Sequence, residues 1–263
     1  MLTLKNQFSD REELVKYVRS LAPWAEGKQS IILGGRQQAE IKLHTLDPIA
    51  YAATRNYGDG KVSRLSPYIH HGVLSLNEVR NHALTLCKQP EQITKFIQEL
   101  AWRDFWQRAL AKNPEWAWKD IEPYKTGFNA EAYVDLLPED IAQGRTTVGC
   151  IDAFILELLQ TGYIHNHARM YLASYIIHFR RIKWQAGARW FLQHLLDGDV
   201  ASNNLSWQWV ASTYSNKPYI FNLENVDKYF GKQVDTTAKH NRVLDASYEE
   251  LHLRLFPNMG LKI

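Results

Sequence analysis

The chain has 263 residues, 45% hydrophobic and 22% charged, with two cysteines and a formal net charge of +3. Those proportions suit a soluble globular fold of one large or two small domains; no stretch of 18 uncharged apolar residues is present to cross a membrane. The two cysteines, Cys87 and Cys150, show neither metal spacing nor a disulfide framework, so a reducing, cytoplasmic setting is expected, and so low a charge excludes a uniformly basic nucleic-acid surface in favour of a local groove.

The opening run MLTLKNQFSDREELVKYV turns charged at once, unlike a secretory signal. Residues 10–22 carry helical periodicity, with Asp10 as N-cap. Residues 36–55 are helical in pattern, interrupted by Pro48. Ser75 and Glu78 form a capping box ahead of a helix to about Cys87. Pro90 opens a long helix to about Lys112, with Ile93, Phe96, Ile97, Leu100 and Ala101 as its apolar stripe. Residues 149–161 form another helix, ended by Gly162. Helices over 165–180 and 186–196 follow. With no alternating strand run and no βαβ pattern, the expected fold is all-α, a single helical domain over residues 1–263.

Neither GxGxxG nor GxxxxGK[ST] is present, nor HExxH, nor GxSxG. His165 and His167 diverge on a helix, so no metal site is expected.

Four segments carry candidate chemistry. Glu99, Trp102, Arg103 and Trp106 share one helical face. A Glu99–Arg103 ion pair on a solvated face explains part of it, but two tryptophans there suit a cavity wall better. Asn166, Arg169 and Met170 share another face. Arg169, within an apolar helix, calls for a carboxylate partner, and Asp197-Gly198-Asp199 supplies candidates. Asp199 also fits a plain helix cap. Ser63-Arg64-Leu65-Ser66-Pro67 is a helix start whose N–H groups and hydroxyls suit a phosphate. Trp207-Gln208-Trp209, with Trp184 and Trp190 upstream, reads either as core or as a stacking surface.

Taken together, these segments resemble the flavin-binding helical domain of the DNA photolyase/cryptochrome family. The similarity runs from about Leu33-Gly34-Gly35-Arg36 to about Tyr229-Phe230. It includes SRLSPYIHHG (63–72), ELAWRDF (99–105), HNHARM (165–170) and WFLQHLLDGDVASNNLSWQW (190–209). Family members usually carry an N-terminal α/β domain holding an antenna chromophore. Here the resemblance begins within the first few dozen residues, so a form without that domain is expected. A separate antenna or signalling partner would suit such a form.

The resemblance implies FAD as cofactor. Tyr51, Val62, Ser63, Arg64, Leu65 and Ser66 would contact its phosphates and ribityl chain. Phe96, Glu99, Arg103, Asn166, Arg169, Asp197, Asp199 and Asn203 would complete the cofactor site, Asn203 facing flavin N5. The family more often has Thr at Val62, Trp at Phe96 and Arg at His167. The implied reaction is light-driven repair of cyclobutane pyrimidine dimers in DNA, the dimer flipped out of the duplex. Glu99 would hydrogen-bond the flipped bases and Trp102 and Trp209 would pack on them. Met170 and Asn166 would contact them, while Arg55 and His167 would serve the DNA. Asn166 and Met170 follow the cyclobutane-dimer pattern rather than the (6-4) pattern, which has His at both positions. Trp207 and Trp184 match the inner and middle members of a photoreduction chain. The outer member is open between Tyr133 and another Trp, with Trp116 and Trp118 nearby in sequence. The alternative is a flavin photosensor or redox protein without repair activity.

Overall fold

The computed structural model describes residues 4–24 and 28–259. Thirteen α-helices lie among them: α1 (Arg11–Leu21), α2 (Arg36–His44), α3 (Pro48–Thr54), α4 (Ser66–His70), α5 (Leu76–Thr85), α6 (Thr94–Lys112), α7 (Glu139–Ala142), α8 (Gly149–Thr161), α9 (Asn166–Ser174), α10 (Trp184–His194), α11 (Val200–Ala211), α12 (Leu223–Phe230) and α13 (Tyr248–Leu255). The fold is all-α. The one strand-like contact among the described residues is an isolated parallel bridge between Val134 and Ile182. No described helix is long and apolar enough to cross a membrane.

The chain divides into two compact units, Met1–Leu33 and Gly34–Ile263. The first unit holds α1, whose N-cap is Asp10 accepting from the Glu13 N–H at 2.8 Å. No side chain of α1 is buried. The second unit holds everything else and has two main apolar clusters. One gathers Ala39, Leu43, Leu65, Val79, Ile93 and Phe96. The other is larger and includes Phe154, Tyr171, Trp184, Phe191, Trp207 and Phe230.

Local sequence signals set most helix ends. Ser75 and Glu78 make both hydrogen bonds of the capping box. Gly162 closes α8 in the left-handed conformation, φ 72°. Pro48 starts α3 after α2 has ended at His44, because its ring and missing N–H stop a continuous helix. The helix expected from Pro90 opens as one 3-10 turn, Pro90–Ile93, before α6. The helix expected over 165–180 is corrected: α9 ends at Ser174 and a π-turn, Tyr175–Phe179, follows. Ile176, Ile177 and His178 of this turn are all buried, as are Tyr171 to Ser174 of α9 before it, so burial alone does not mark where the α-helix gives way. The next helix begins at Trp184 and ends at His194, rather than spanning 186–196.

Helices α10 and α11 pack closely, and Gly187 allows it. A Cβ at position 187 would lie 2.2 Å from the Trp207 ring, so any side chain there displaces that ring.

Candidate flavin site and its aromatic mouth

Both apolar clusters contribute to the lining of a cavity of about 570 Å³. That volume is in the usual range for cofactor and ligand sites. Eighteen of the site residues that the resemblance implies line it, including Tyr51, Arg64, Glu99, Asn166, Asn203 and Trp207. The others that do so are Val62, Ser63, Leu65, Ser66, Phe96, Arg103, Arg169, Asp197, Arg55, Trp102, Met170 and Trp209. Asp199, Trp184 and His167 are not among the lining residues.

The buried end is built on an ion pair. Arg169 Nη2 donates to Asp197 Oδ2 at 2.9 Å, and Arg169 Nε donates to the Ile164 carbonyl at 3.0 Å. The Ser66 hydroxyl donates to the same Asp197 oxygen at 2.5 Å. Burial would raise the Asp197 carboxyl, but the Arg169 charge and these hydrogen bonds prevail and hold it below the ordinary carboxylate range. Its other oxygen, Oδ1, is buried with no hydrogen-bond partner, and so is the Ser202 hydroxyl, another lining group. A buried orphaned acceptor is costly unless a ligand donor completes it. Tyr163, missed in the sequence, also lines this end. Its ring receives the Arg64 and Arg169 guanidiniums at 5.4 and 5.2 Å. Arg64 itself adopts φ 52°, a left-handed backbone that costs a side-chain-bearing residue about 1–2 kcal/mol. The expectation that both serine hydroxyls await a phosphate is corrected for Ser66, whose proton is committed to Asp197.

Asn203 is oriented by a relay. Asn204 Nδ2 donates to the Ala117 carbonyl, so Asn204 Oδ1 must accept, and it accepts from Asn203 Nδ2 at 2.8 Å. Asn203 Nδ2 also donates to the Ala188 carbonyl at 3.1 Å. Both amide protons are thus used, and Oδ1 is the free end of a cavity-lining side chain: an acceptor.

At the other end the cavity is open. Trp102 and Trp209 are 48% and 41% exposed, unusual for rings that line a cavity. Trp102 stacks on Trp106 with centroids 5.3 Å apart. The Glu99–Arg103 pair, the plainer alternative for this face, does not form. Glu99 Oε1 is instead 3.1 Å from Arg55 Nη1 and 2.9 Å from Lys95 Nζ. Arg103 turns to Asp199, 3.5 Å away, because Asp199 projects from the start of α11 toward α6.

The three residues outside the lining have other tasks. Asp199 caps α11 through the Ser202 N–H at 2.7 Å, and its second oxygen meets Arg103 and accepts from Gln107. Trp184 is fully buried and donates Nε1–H to Asp120 at 2.6 Å. The His167 ring packs against Tyr171 and Tyr229 at 4.5 and 4.8 Å and meets the Asn56 carbonyl at 3.0 Å. Tyr133 is buried and bonded to Thr126, whereas Trp118 stacks on Trp184.

His165 caps α9 by accepting from the His167 N–H at 3.1 Å. Burial, with His167 and the two nearby arginines, pulls its ring down to about 4. Burial likewise pulls His178 down to about 4. An unfolded histidine titrates near 6.5. Between about 6.5 and 4 the unfolded chain therefore binds more protons, and stability is expected to fall as pH drops through that window. Urea midpoints that are equal at about pH 6.5 and about pH 5 would contradict this.

Comparison with known proteins agrees with the geometry. Residues 96–243, more than half of the chain, match the family described as the FAD binding domain of DNA photolyase. The deoxyribodipyrimidine photo-lyase of Streptomyces griseus is 39% identical over 151 residues, covering 57% of this chain and 32% of that protein. The Escherichia coli K12 enzyme of the same name is 31% identical over 175 residues, covering 62% of this chain and 35% of that protein. The chain thus spans about a third of the length of these relatives. Among solved structures, a class III photolyase from Agrobacterium tumefaciens superposes with a TM-score of 0.69 at 23% identity, over 90% of this chain and 60% of that one. A Synechocystis cryptochrome gives 0.69 at 23% identity over 88% of this chain and 54% of that one. These likenesses establish the fold. With the family match over residues 96–243 and a cavity lined by the motif residues, the chain belongs to the FAD-binding domain family of DNA photolyases, and FAD is its cofactor.

Proposed function

We propose that the chain carries out light-driven repair of cyclobutane pyrimidine dimers in DNA, with FAD seated in the cavity. The observation that carries this reading is the pairing of a buried, charge-stapled end with an open mouth of bare aromatic rings. The buried end suits a cofactor. Arg64, Arg169 and Arg103 supply cations for phosphates, and Asp197 Oδ1 and the Ser202 hydroxyl await partners. Asn203 Oδ1, an acceptor, suits a protonated ring nitrogen and so a reduced flavin.

Bound and reduced, FAD would lend the dimer one electron under light and recover it once the ring opens. The residues at the mouth do the rest. Trp102 and Trp209 offer flat apolar faces to a flipped base pair, with Met170 beside them. Arg55 and Lys95 hold Glu99 until DNA phosphates draw them away. The Glu99 carboxyl is then free to take a proton and donate a hydrogen bond to the base carbonyl that gains charge. DNA containing dimers is the proposed partner.

The test is loss of dimer from a thymine-dimer oligonucleotide, using FAD-loaded, chemically reduced protein in blue light and in darkness. Repair in light only is the expected result. Full flavin occupancy without repair would replace this reading with that of a photosensor.

A further inference from the structure

A second cavity, of about 360 Å³, lies beside the π-turn that follows α9 and shares no lining residue with the flavin cavity. Three arginines line it: Arg180 and Arg181 just after that turn, and Arg254 in the last turn of α13. Arg180 is matched, donating to both oxygens of Asp140 at 2.7 and 3.2 Å. Arg181 and Arg254 form no ion pair among the described residues; each donates to a main-chain carbonyl, that of Leu255 and that of Val243 respectively. Glu250, one turn before Arg254, spends its carboxylate on the Ser247 capping box. Two guanidinium charges thus face the cavity without a counter-charge.

Two buried nitrogens of the lining residues also lack a hydrogen-bond partner, Arg181 Nη1 and His178 Nδ1. The Phe128 and Tyr133 rings meet the Arg181 guanidinium at 3.5 and 5.9 Å and offset part of its charge, but they leave Nη1 without an acceptor. Arg181 is held at φ 52°, a left-handed backbone that a side-chain-bearing residue adopts only when its surroundings impose it. His178 has the opposite need. Its Nε2 is 2.9 Å from the Val210 carbonyl, which can only accept, so Nε2 carries the proton. Burial keeps the ring neutral, and Nδ1 is therefore a lone pair that calls for a donor.

The walls ask for negative charge and for a proton on the same ligand. Water has the proton but not the charge. Chloride, sulfate and a phosphodiester have the charge but no proton to give. Hydrogen phosphate has both: two negative charges for two unmatched guanidiniums, and one O–H for the imidazole. We propose that this cavity binds hydrogen phosphate, with Arg181 and Arg254 donating to its oxygens and His178 Nδ1 accepting from its O–H. Arginine suits the role because its planar fork of N–H groups matches phosphate oxygens. The site is independent of the flavin reading above, since none of its residues lines the flavin cavity.

The test is calorimetric titration of the full chain with inorganic phosphate, near neutral pH, at constant ionic strength and with FAD present. Saturable binding of one phosphate per chain is the expected result. Sulfate should bind at least about tenfold more weakly, because it leaves His178 Nδ1 without a donor. R181Q and R254Q should each weaken phosphate binding about tenfold or more. Arg254 is exposed, so R254Q keeps the test decisive if R181Q fails to fold. Bicarbonate, with a proton but one charge, should bind more weakly than phosphate. An oligothymidylate without terminal phosphates should not displace the ion. No saturable binding, sulfate or bicarbonate binding as tightly as phosphate, or wild-type affinity in folded R254Q would overturn the proposal. Displacement by the oligothymidylate would overturn it as well, making this patch a nucleic-acid surface.

Discussion

Asp197→Ala is expected to strip flavin from the chain. Asp197 is 6% exposed and is the only carboxylate partner within 4.0 Å of Arg169 among the described residues. Removing it leaves a poorly solvated guanidinium without its counter-charge, a loss of about 3–5 kcal/mol. Referred to cofactor retention, that is about two to three and a half orders of magnitude in affinity. The Ser66 hydroxyl loses its acceptor at the same time, so the 62–66 segment is released from the opposite wall. Arg169→Ala works from the other side, leaving Asp197 as the unpaired charge. Asp197→Asn separates the two contributions: it keeps an acceptor for Ser66 but not the charge, and should retain flavin at an intermediate level. The measurement is FAD bound per chain after gel filtration, read beside thermal unfolding of each variant. Full flavin content in folded Asp197→Ala and Arg169→Ala would remove this pair from the cofactor site.

Glu99→Ala is expected to keep flavin and lose repair. Glu99 belongs to the open end, with side-chain exposure of 29%, and its partners Arg55 and Lys95 are part-exposed as well. Removing it therefore costs little stability. It also frees two cations for phosphate, so DNA affinity should hold or rise. What disappears is the hydrogen bond that Glu99 would give to the base carbonyl on which charge develops, once the flipped bases cover the open end. The yield of repaired dimer per absorbed photon should fall more than about tenfold. Pre-reduced wild type and variant, compared on one dimer oligonucleotide with binding measured separately, give the answer. Equal yields would return Glu99 to the role of a surface ion-pair residue.

What the residues reveal by themselves is mostly local. Asp10, the Ser75–Glu78 box, Pro48 and Gly162 act within four residues of themselves, and each ends or starts a helix where the sequence places it. The Arg169–Asp197 pair was legible for another reason: a charge amid apolar neighbours has to be matched, and few carboxylates lie near. Partner choice across long separations was not legible. Ser66 meets Asp197 across 131 positions, and Gln107 meets Asp199 across 92. Helical spacing favoured Arg103 for Glu99, yet Arg55 and Lys95 take it because α3 packs beside α6. Tyr163 gave no signal at all, since an aromatic after a helix-ending glycine reads as core. Trp118 lies outside the matched motifs, and only packing brings its ring parallel to Trp184.

Asp199 has a mechanical consequence. One of its oxygens caps α11 and the other holds Arg103 and Gln107 on α6. These two helices cannot part without giving up the ion pair to Arg103 and the hydrogen bond from Gln107. The walls that carry Trp102 and Glu99 on one side and Asn203, Trp207 and Trp209 on the other therefore share a single motion. A cavity so clamped keeps its dipoles where they are when charge arrives, and little energy is spent turning them. Low reorganisation is what this single carboxylate lends to any charge movement at the site.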